Sequence, residues 1–156
     1  MRVLVSDTSI LIDLERADLL RAAFSVDAEF VVPDLLYERE LRGSGEFDLL
    51  ALGLRVESLD ESEVESAQAY RRGHPRLALP DTFALTLTKK RGWLLLTGDG
   101  PLRALAVAEQ VECHGVLPAA VGGLRATGNV GNGAMTRSML AGAIEFFYSP
   151  ASCGRT

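Results

Sequence analysis

The chain has 156 residues, 47% hydrophobic and 24% charged, which fits one globular domain with a full-sized core and carries no disorder signature. Its net charge of −5 excludes a globally basic nucleic-acid binder, although a local basic rim can still serve a small site. No apolar run approaches the roughly 18 residues of a membrane span, no signal peptide is read at the start, and two cysteines, Cys113 and Cys153, are too few for a disulfide framework, so a reduced cytoplasm is expected.

In chain order, Val3-Leu4-Val5 forms a short buried strand, followed at once by Asp7, Thr8 and Ser9. Ile10-Leu11-Ile12 and Leu14 then begin a helical pattern that Thr8 or Ser9 can cap, and residues 11–24 read as one amphipathic helix. Residues 29–32 form a second apolar strand ended by Pro33. Residues 34–42 read as a helix stopped by Gly43-Ser44-Gly45, and 47–52 as another turn or two. Residues 54–59 alternate with period two, which predicts a half-exposed edge strand.

Asp60 and Glu63 have capping-box spacing at the start of a polar helix to Arg72, and Gly73-His74-Pro75 breaks the chain. Pro80-Asp81 opens a helix over 82–91, closed by Gly92. Residues 93–96 are the most hydrophobic strand, 97–101 turn out of it, and a helix (102–109) and a strand (111–116) follow. This alternation predicts an α/β fold, a three-layer α/β/α sandwich on a mainly parallel sheet. Residues 1–149 are read as a single domain, with 117–149 a glycine-interrupted C-terminal helical extension and 150–156 a frayed tail.

Four acidic residues sit at element ends or in otherwise apolar settings: Asp7, Glu40 (with Glu38 as the fallback), Asp81 and Asp99. In a parallel sheet the carboxyl ends of the strands share one edge, so Asp7 and Asp99 meet there, and the first turns of the following helices reach it. Carboxylates gathered in this way repel one another unless a cation sits between them, and carboxylate with water suits Mg2+ or Mn2+. Singly, each has an ordinary explanation: Asp7 and Asp81 as helix caps, Asp99 as a turn residue, Glu40 as surface charge. His74 and His114 form no triad with a nucleophile, Cys113-His114 lacks the other ligands of a zinc site, and the glycines at 98 and 100 match no phosphate-binding loop.

Four ordered segments, Val5 to Asp13, Val31 to Arg42, Leu79 to Leu87 and Leu94 to Arg103, together resemble the PIN-domain family, which includes the VapC-type toxins of prokaryotic toxin–antitoxin pairs. The resemblance covers residues 2 to about 118 and puts the family's acidic positions on Asp7, Glu40 or Glu38, Asp81 and Asp99. It implies that these carboxylates hold Mg2+ or Mn2+ and are catalytic, with Thr8 or Ser9 supporting the first and Thr97 the last. The implied activity is a metal-dependent endoribonuclease hydrolysing RNA phosphodiester bonds, plausible as a toxin. Arg42 and Arg103, then Lys89, Lys90 and Arg91, are candidates for phosphate contacts. Candidate partners are RNA, an antitoxin protein and a second copy of the chain; no membrane is expected. The alternative is a catalytically silent PIN-like domain that binds RNA or a protein. A haloacid-dehalogenase-like reading is weaker, because Ser9 stands where a second aspartate is needed. A receiver-like reading is weaker too, because the acidic pair it needs after the first strand is absent.

Overall fold

The computed structural model describes residues 2–25 and 27–114. The chain opens with β1 (Arg2–Ser6), α1 (Thr8–Arg16), α2 (Leu20–Ala23) and β2 (Ala28–Pro33). Next come α3 (Asp34–Leu36), running straight into a π-helical turn (Tyr37–Leu41), then α4 (Leu49–Leu52) and β3 (Arg55–Glu57). The second half holds α5 (Glu61–Gly73), α6 (Leu79–Arg91), β4 (Leu94–Leu96), α7 (Gly100–Ala108) and β5 (Cys113–His114).

The five strands form one sheet in the order β3-β2-β1-β4-β5, every pair parallel. Parallel neighbours need crossovers, and the connecting helices cover both faces. Successive strand residues therefore point into opposite halves of the core. Leu4, Phe30, Val32, Leu94 and Leu96 join the layer under α1 to α4, whereas Val5, Val31 and Leu95 join the layer under α6 and α7. Burial on both sides is why β1, β2 and β4 read as unbroken apolar runs while β3, at the edge, alternates.

The predicted α/β sandwich is the one formed, with several local differences. The helix expected over 11–24 is split, because Asp18 adopts a left-handed backbone (φ 58) and the Leu19 N–H donates to the Leu14 carbonyl at 2.8 Å. That is a helix-ending motif usually built on glycine, and Asp is among the few other residues that tolerate the conformation. The helix expected over 34–42 widens instead into the π turn, with Arg42 N–H on Tyr37 O at 2.8 Å. The capping box at Asp60 and Glu63 is present in both directions, at 2.8 Å each. The extension over 117–149 and the tail lie outside the described residues, as does the end of the strand expected over 111–116.

Candidate active site

The strand order reverses between β1 and β4: the chain runs outward through β2 and β3 on one side and through β4 and β5 on the other. In open parallel sheets the crevice outside the carboxyl ends at such a switch point is where ligands bind. Asp7 follows β1 there, and Thr97 and Asp99 follow β4. The Asp7 N–H extends the ladder to Leu96 O at 3.0 Å, so the two strand ends are fixed to each other at the crevice.

Asp7 caps α1, as the ordinary explanation has it, but it is only 3% exposed. Its Oδ1 accepts from the Ile10 N–H at 3.0 Å and from Ser9 Oγ at 2.8 Å, while its Oδ2 accepts from Thr97 Oγ1. Thr97, fully buried, accepts in turn from the Asp99 N–H at 3.0 Å. One hydroxyl thus ties the first carboxylate to the loop that carries the fourth. Asp99 caps α7 through Oδ2 and the Leu102 N–H at 2.9 Å. It is a helix cap and not the simple turn residue its flanking glycines suggest. The loop passes close to α1: a Cβ on Gly98 would stand 3.4 Å from Ser9 Oγ, in ordinary van der Waals contact.

Glu40 comes from the π turn after β2, half-buried, and accepts a hydrogen bond from Thr8 Oγ1. The two candidate supports at 8 and 9 have therefore divided: Ser9 holds Asp7, and Thr8 holds Glu40. Glu38, two residues earlier, is exposed and paired with Arg42 at 2.8 Å. The geometry thus brings Glu40 to the site and leaves Glu38 and Arg42 facing outward with each other's charge met. Asp81 does not cap its helix, contrary to the ordinary reading; α6 begins two residues earlier and Ala78 is the cap. Asp81 lies in the first turn, where its Oδ2 accepts from the Ala78 N–H at 3.3 Å.

The electrostatics bind these pieces into one site. The Asp81 carboxyl is pushed up to about 6, first by burial and then by the charges of Asp99, Glu40 and Asp7, against the opposing Ala78 hydrogen bond. Each of the other three carboxylates is thus close enough for Asp81 to feel it. All are held by hydroxyls and backbone N–H groups, and the starts of α1, α6 and α7 add the positive ends of their helix dipoles. Among the described residues no lysine or arginine forms an ion pair with any of them. Arg103, one of the cations expected to contact phosphate, donates from Nη2 to the Thr97 carbonyl at 3.3 Å. Lys89 is occupied elsewhere by Glu109 and Tyr70, and Arg91 by Glu63 and Glu57. His74 is exposed, and His114 is buried in β5.

The all-oxygen donor set fits a hard divalent ion. No three acidic, histidine or cysteine side chains among the described residues lie close enough together to enclose one. Mg2+ commonly binds through one or two carboxylates and keeps several waters, so a wider acidic crevice still suits it.

An open parallel α/β sheet with an acidic crevice at its switch point defines the class. A family model described as PIN domain matches residues 3–121, and the chain belongs to that family. A PilT N-terminus domain protein from the hyperthermophilic archaeon Sulfolobus solfataricus P2 shares the fold, with TM-score 0.51 and 13% identity over 86% of this chain and 99% of that one. A looser match, TM-score 0.40 and 23% identity over 62% of this chain and 86% of the other, is to a toxin–antitoxin complex from Klebsiella pneumoniae. None of the curated proteins matches.

Proposed function

We propose that the chain is a metal-dependent ribonuclease in which Asp7, Glu40, Asp81 and Asp99 hold Mg2+ or Mn2+, directly or through water. The observation that carries this reading is the meeting of Asp7 and Asp99 on the Thr97 hydroxyl and of Glu40 on Thr8 at the carboxyl edge of the sheet, with the Asp81 carboxyl raised first by burial and then by the other three acidic residues. Concentrated negative charge that no lysine or arginine among the described residues meets in an ion pair is what a cation site looks like before loading. A bound divalent ion supplies an activated water and neutralises charge on the phosphate.

The chain's own residues do the positioning. Ser9 and Thr97 fix the two oxygens of Asp7, and Thr8 orients Glu40. Thr97 also sets the Asp99 backbone, so the β1 and β4 ends keep their spacing as substrate enters. Arg103, on the Thr97 carbonyl, is placed at the crevice where a phosphate can meet it. RNA as the substrate, and an antitoxin as a partner, come from the family resemblance. No helix among the described residues is long and apolar enough to cross a membrane.

One observation favours a silent, binding-only domain: Asp7 already accepts from Ser9, Ile10 and Thr97, leaving little free lone-pair capacity. A mixed RNA pool incubated with the wild type and Asp7→Asn, in Mg2+, in Mn2+ and in chelator, separates the readings. Cleavage by the wild type only, and only with metal, supports the nuclease. Intact RNA in every tube leaves the silent domain.

A further inference from the structure

Helix α1 grips the segment that carries Glu40 at two places. At its first residue, Thr8 Oγ1 donates to Glu40 in the π turn. Near its end, Glu15 Oε1 accepts from the Glu46 N–H at 2.7 Å, in the loop that leads out of that turn. Residues 8 and 15 are two helical turns apart, so both side chains leave the same face of α1, about 10 Å from each other along its axis. The second grip also restricts the residue beside it. Gly45 has φ +79, and a Cβ there would stand 2.5 Å from Glu15 Oε2 and 2.8 Å from Oε1. Glycine is therefore needed twice over, for the backbone bend and for the room the carboxylate takes.

Little else fastens this loop. Residues 42–46 are all exposed, and the other hydrogen bonds of the stretch are local: Arg42 with Tyr37 and Glu38, and Ser44 with Leu41. A cavity of about 330 Å3 is lined by Tyr37 and Leu41 of the turn and by residues 43–49, so open space lies between turn and loop. Among the described residues, the bond from Glu46 to Glu15 is thus the one that ties residues 42–46 to another element. A π turn holds one residue more than an α turn and is rare, so something has to keep it open. Closing it to α would require the chain after Leu41 to shift by one residue. The side chains of the turn would swing around the axis by up to about 100°, and Glu40 would leave Thr8. A clasp on Glu46 opposes that shift.

We propose that Glu15 is a positioning residue for the acidic crevice: its carboxylate anchors the loop at Glu46, keeps the π turn open and so keeps Glu40 on Thr8. The inference rests on the metal-dependent nuclease reading of that crevice, and adds a residue that acts through Glu40 without touching metal or RNA. The clasp requires an acceptor and not a charge, so the amide oxygen of a glutamine serves it as well.

The test compares the full-length wild type with Glu15→Ala and Glu15→Gln in three measurements. Hydrogen–deuterium exchange in chelator reads the π turn itself. Glu15→Ala should speed exchange over residues 37–46 by about 5- to 10-fold and leave the α5 peptide unchanged. Calorimetric titration with Mn2+ should show affinity weakened about 3- to 10-fold, and initial cleavage rates on a labelled RNA should fall about 10-fold. Glu15→Gln should stay within about 2-fold of wild type in all three. Gly45→Ala, which forces the carboxylate away, should reproduce the Glu15→Ala losses. A cycle with Glu40→Gln separates positioning from general damage. In that background, adding Glu15→Ala should change cleavage by less than about 2-fold, because the residue it acts through is already gone. Equal losses from Glu15→Ala in both backgrounds would overturn the proposal. So would unchanged exchange over 37–46, or wild-type Mn2+ affinity in Glu15→Ala or Gly45→Ala. Failure of the nuclease reading has a different signature. The wild type itself would leave RNA uncut in Mg2+ and Mn2+, while Glu15→Ala still sped exchange over 37–46.

Discussion

Two charged regions of this molecule are built on opposite plans. Around the far ends of α5 and α6, carboxylates meet cations. Glu63 is 3% exposed and takes Arg91 at 3.1 Å, Glu57 takes Arg55 at 2.8 Å, and Glu109 takes Lys89. There the Glu109 carboxyl is held below its usual range, chiefly by the hydrogen bond from Lys89 and then by that from Tyr70. At the carboxyl edge of the sheet Asp7, Glu40, Asp81 and Asp99 meet hydroxyls and N–H groups, and the Asp81 carboxyl moves the other way, up to about 6. Paired charge serves the fold, whereas charge left uncompensated lowers the stability of the metal-free fold and has to be explained by what it binds.

Breaking the acidic edge should give the largest effect. Asp7→Asn, Asp81→Asn and Asp99→Asn should each reduce metal-dependent RNA cleavage by at least roughly 100-fold, since losing even an indirect support of a metal ligand costs 10- to 100-fold. The fold should survive, because an amide is nearly isosteric and Thr97 can turn to accept from it. Initial rates on a labelled RNA, with circular dichroism as the fold control, decide this. A fully active Asp7→Asn protein would remove that residue from the site.

The comparison sharpens at the π turn, where both plans occur two residues apart. Glu40→Gln should lower cleavage by about 10- to 100-fold, and Glu38→Gln, paired outward with Arg42, should stay within about 2-fold of wild type. The reverse ranking in the same assay would move the role to Glu38.

The paired region should respond in stability and not in function. Arg91→Ala leaves the buried Glu63 with only its hydrogen bond from Asp60 and strips the guanidinium from the face of Trp93. A loss of about 1–2 kcal/mol in a urea titration is expected, with cleavage per folded molecule unchanged. A matching loss of activity would mean the two regions are not separate.

The smallest effect is the pH dependence of Asp81. Its folded value, about 6, lies above its ordinary 3.8, so the folded state binds the proton more tightly. Stability of the metal-free protein is therefore highest below about pH 4 with respect to this group, falls as pH rises through 6, and stays reduced above. Asp81 keeps some contact with water, and screening limits the cost to about 1 kcal/mol, or roughly 2–4 °C in Tm. In chelator Asp81→Asn should melt above wild type by that margin at pH 7.5 and by nothing at pH 4. An equal difference at both would mean that burial and its acidic neighbours do not raise the Asp81 carboxyl.

Much of this was legible in the residues. β1, β2 and β4 are runs buried on both sides, β3 alternates because it is an edge, and Asp60 with Glu63 spelled out a cap that needs no tertiary context. The meeting of Asp7 with Asp99 follows from parallel strands alone. What was not legible depends on contacts between distant segments. The π turn widens where Glu40 faces Thr8, 32 residues away in sequence. The break at Asp18 carries neither glycine nor proline, and the start of α6 at Leu79, with Ala78 as its cap, has no polar capping side chain to announce it. Thr97 was expected beside Asp99, but its hydroxyl also holds Asp7, across 90 residues of chain.

The central claim is that the acidic edge is a cation site, and metal-dependent melting of the wild type tests it most directly. With chelator and then with millimolar Mn2+ or Mg2+ at pH 7.5, ion binding only to the assembled site should raise Tm by mass action. Asp81→Asn should start higher in chelator and respond less to the ion, while Arg91→Ala should start lower and respond in full. A wild type that melts at the same temperature in chelator and in both metals would contradict the account, and the ribonuclease reading would go with it.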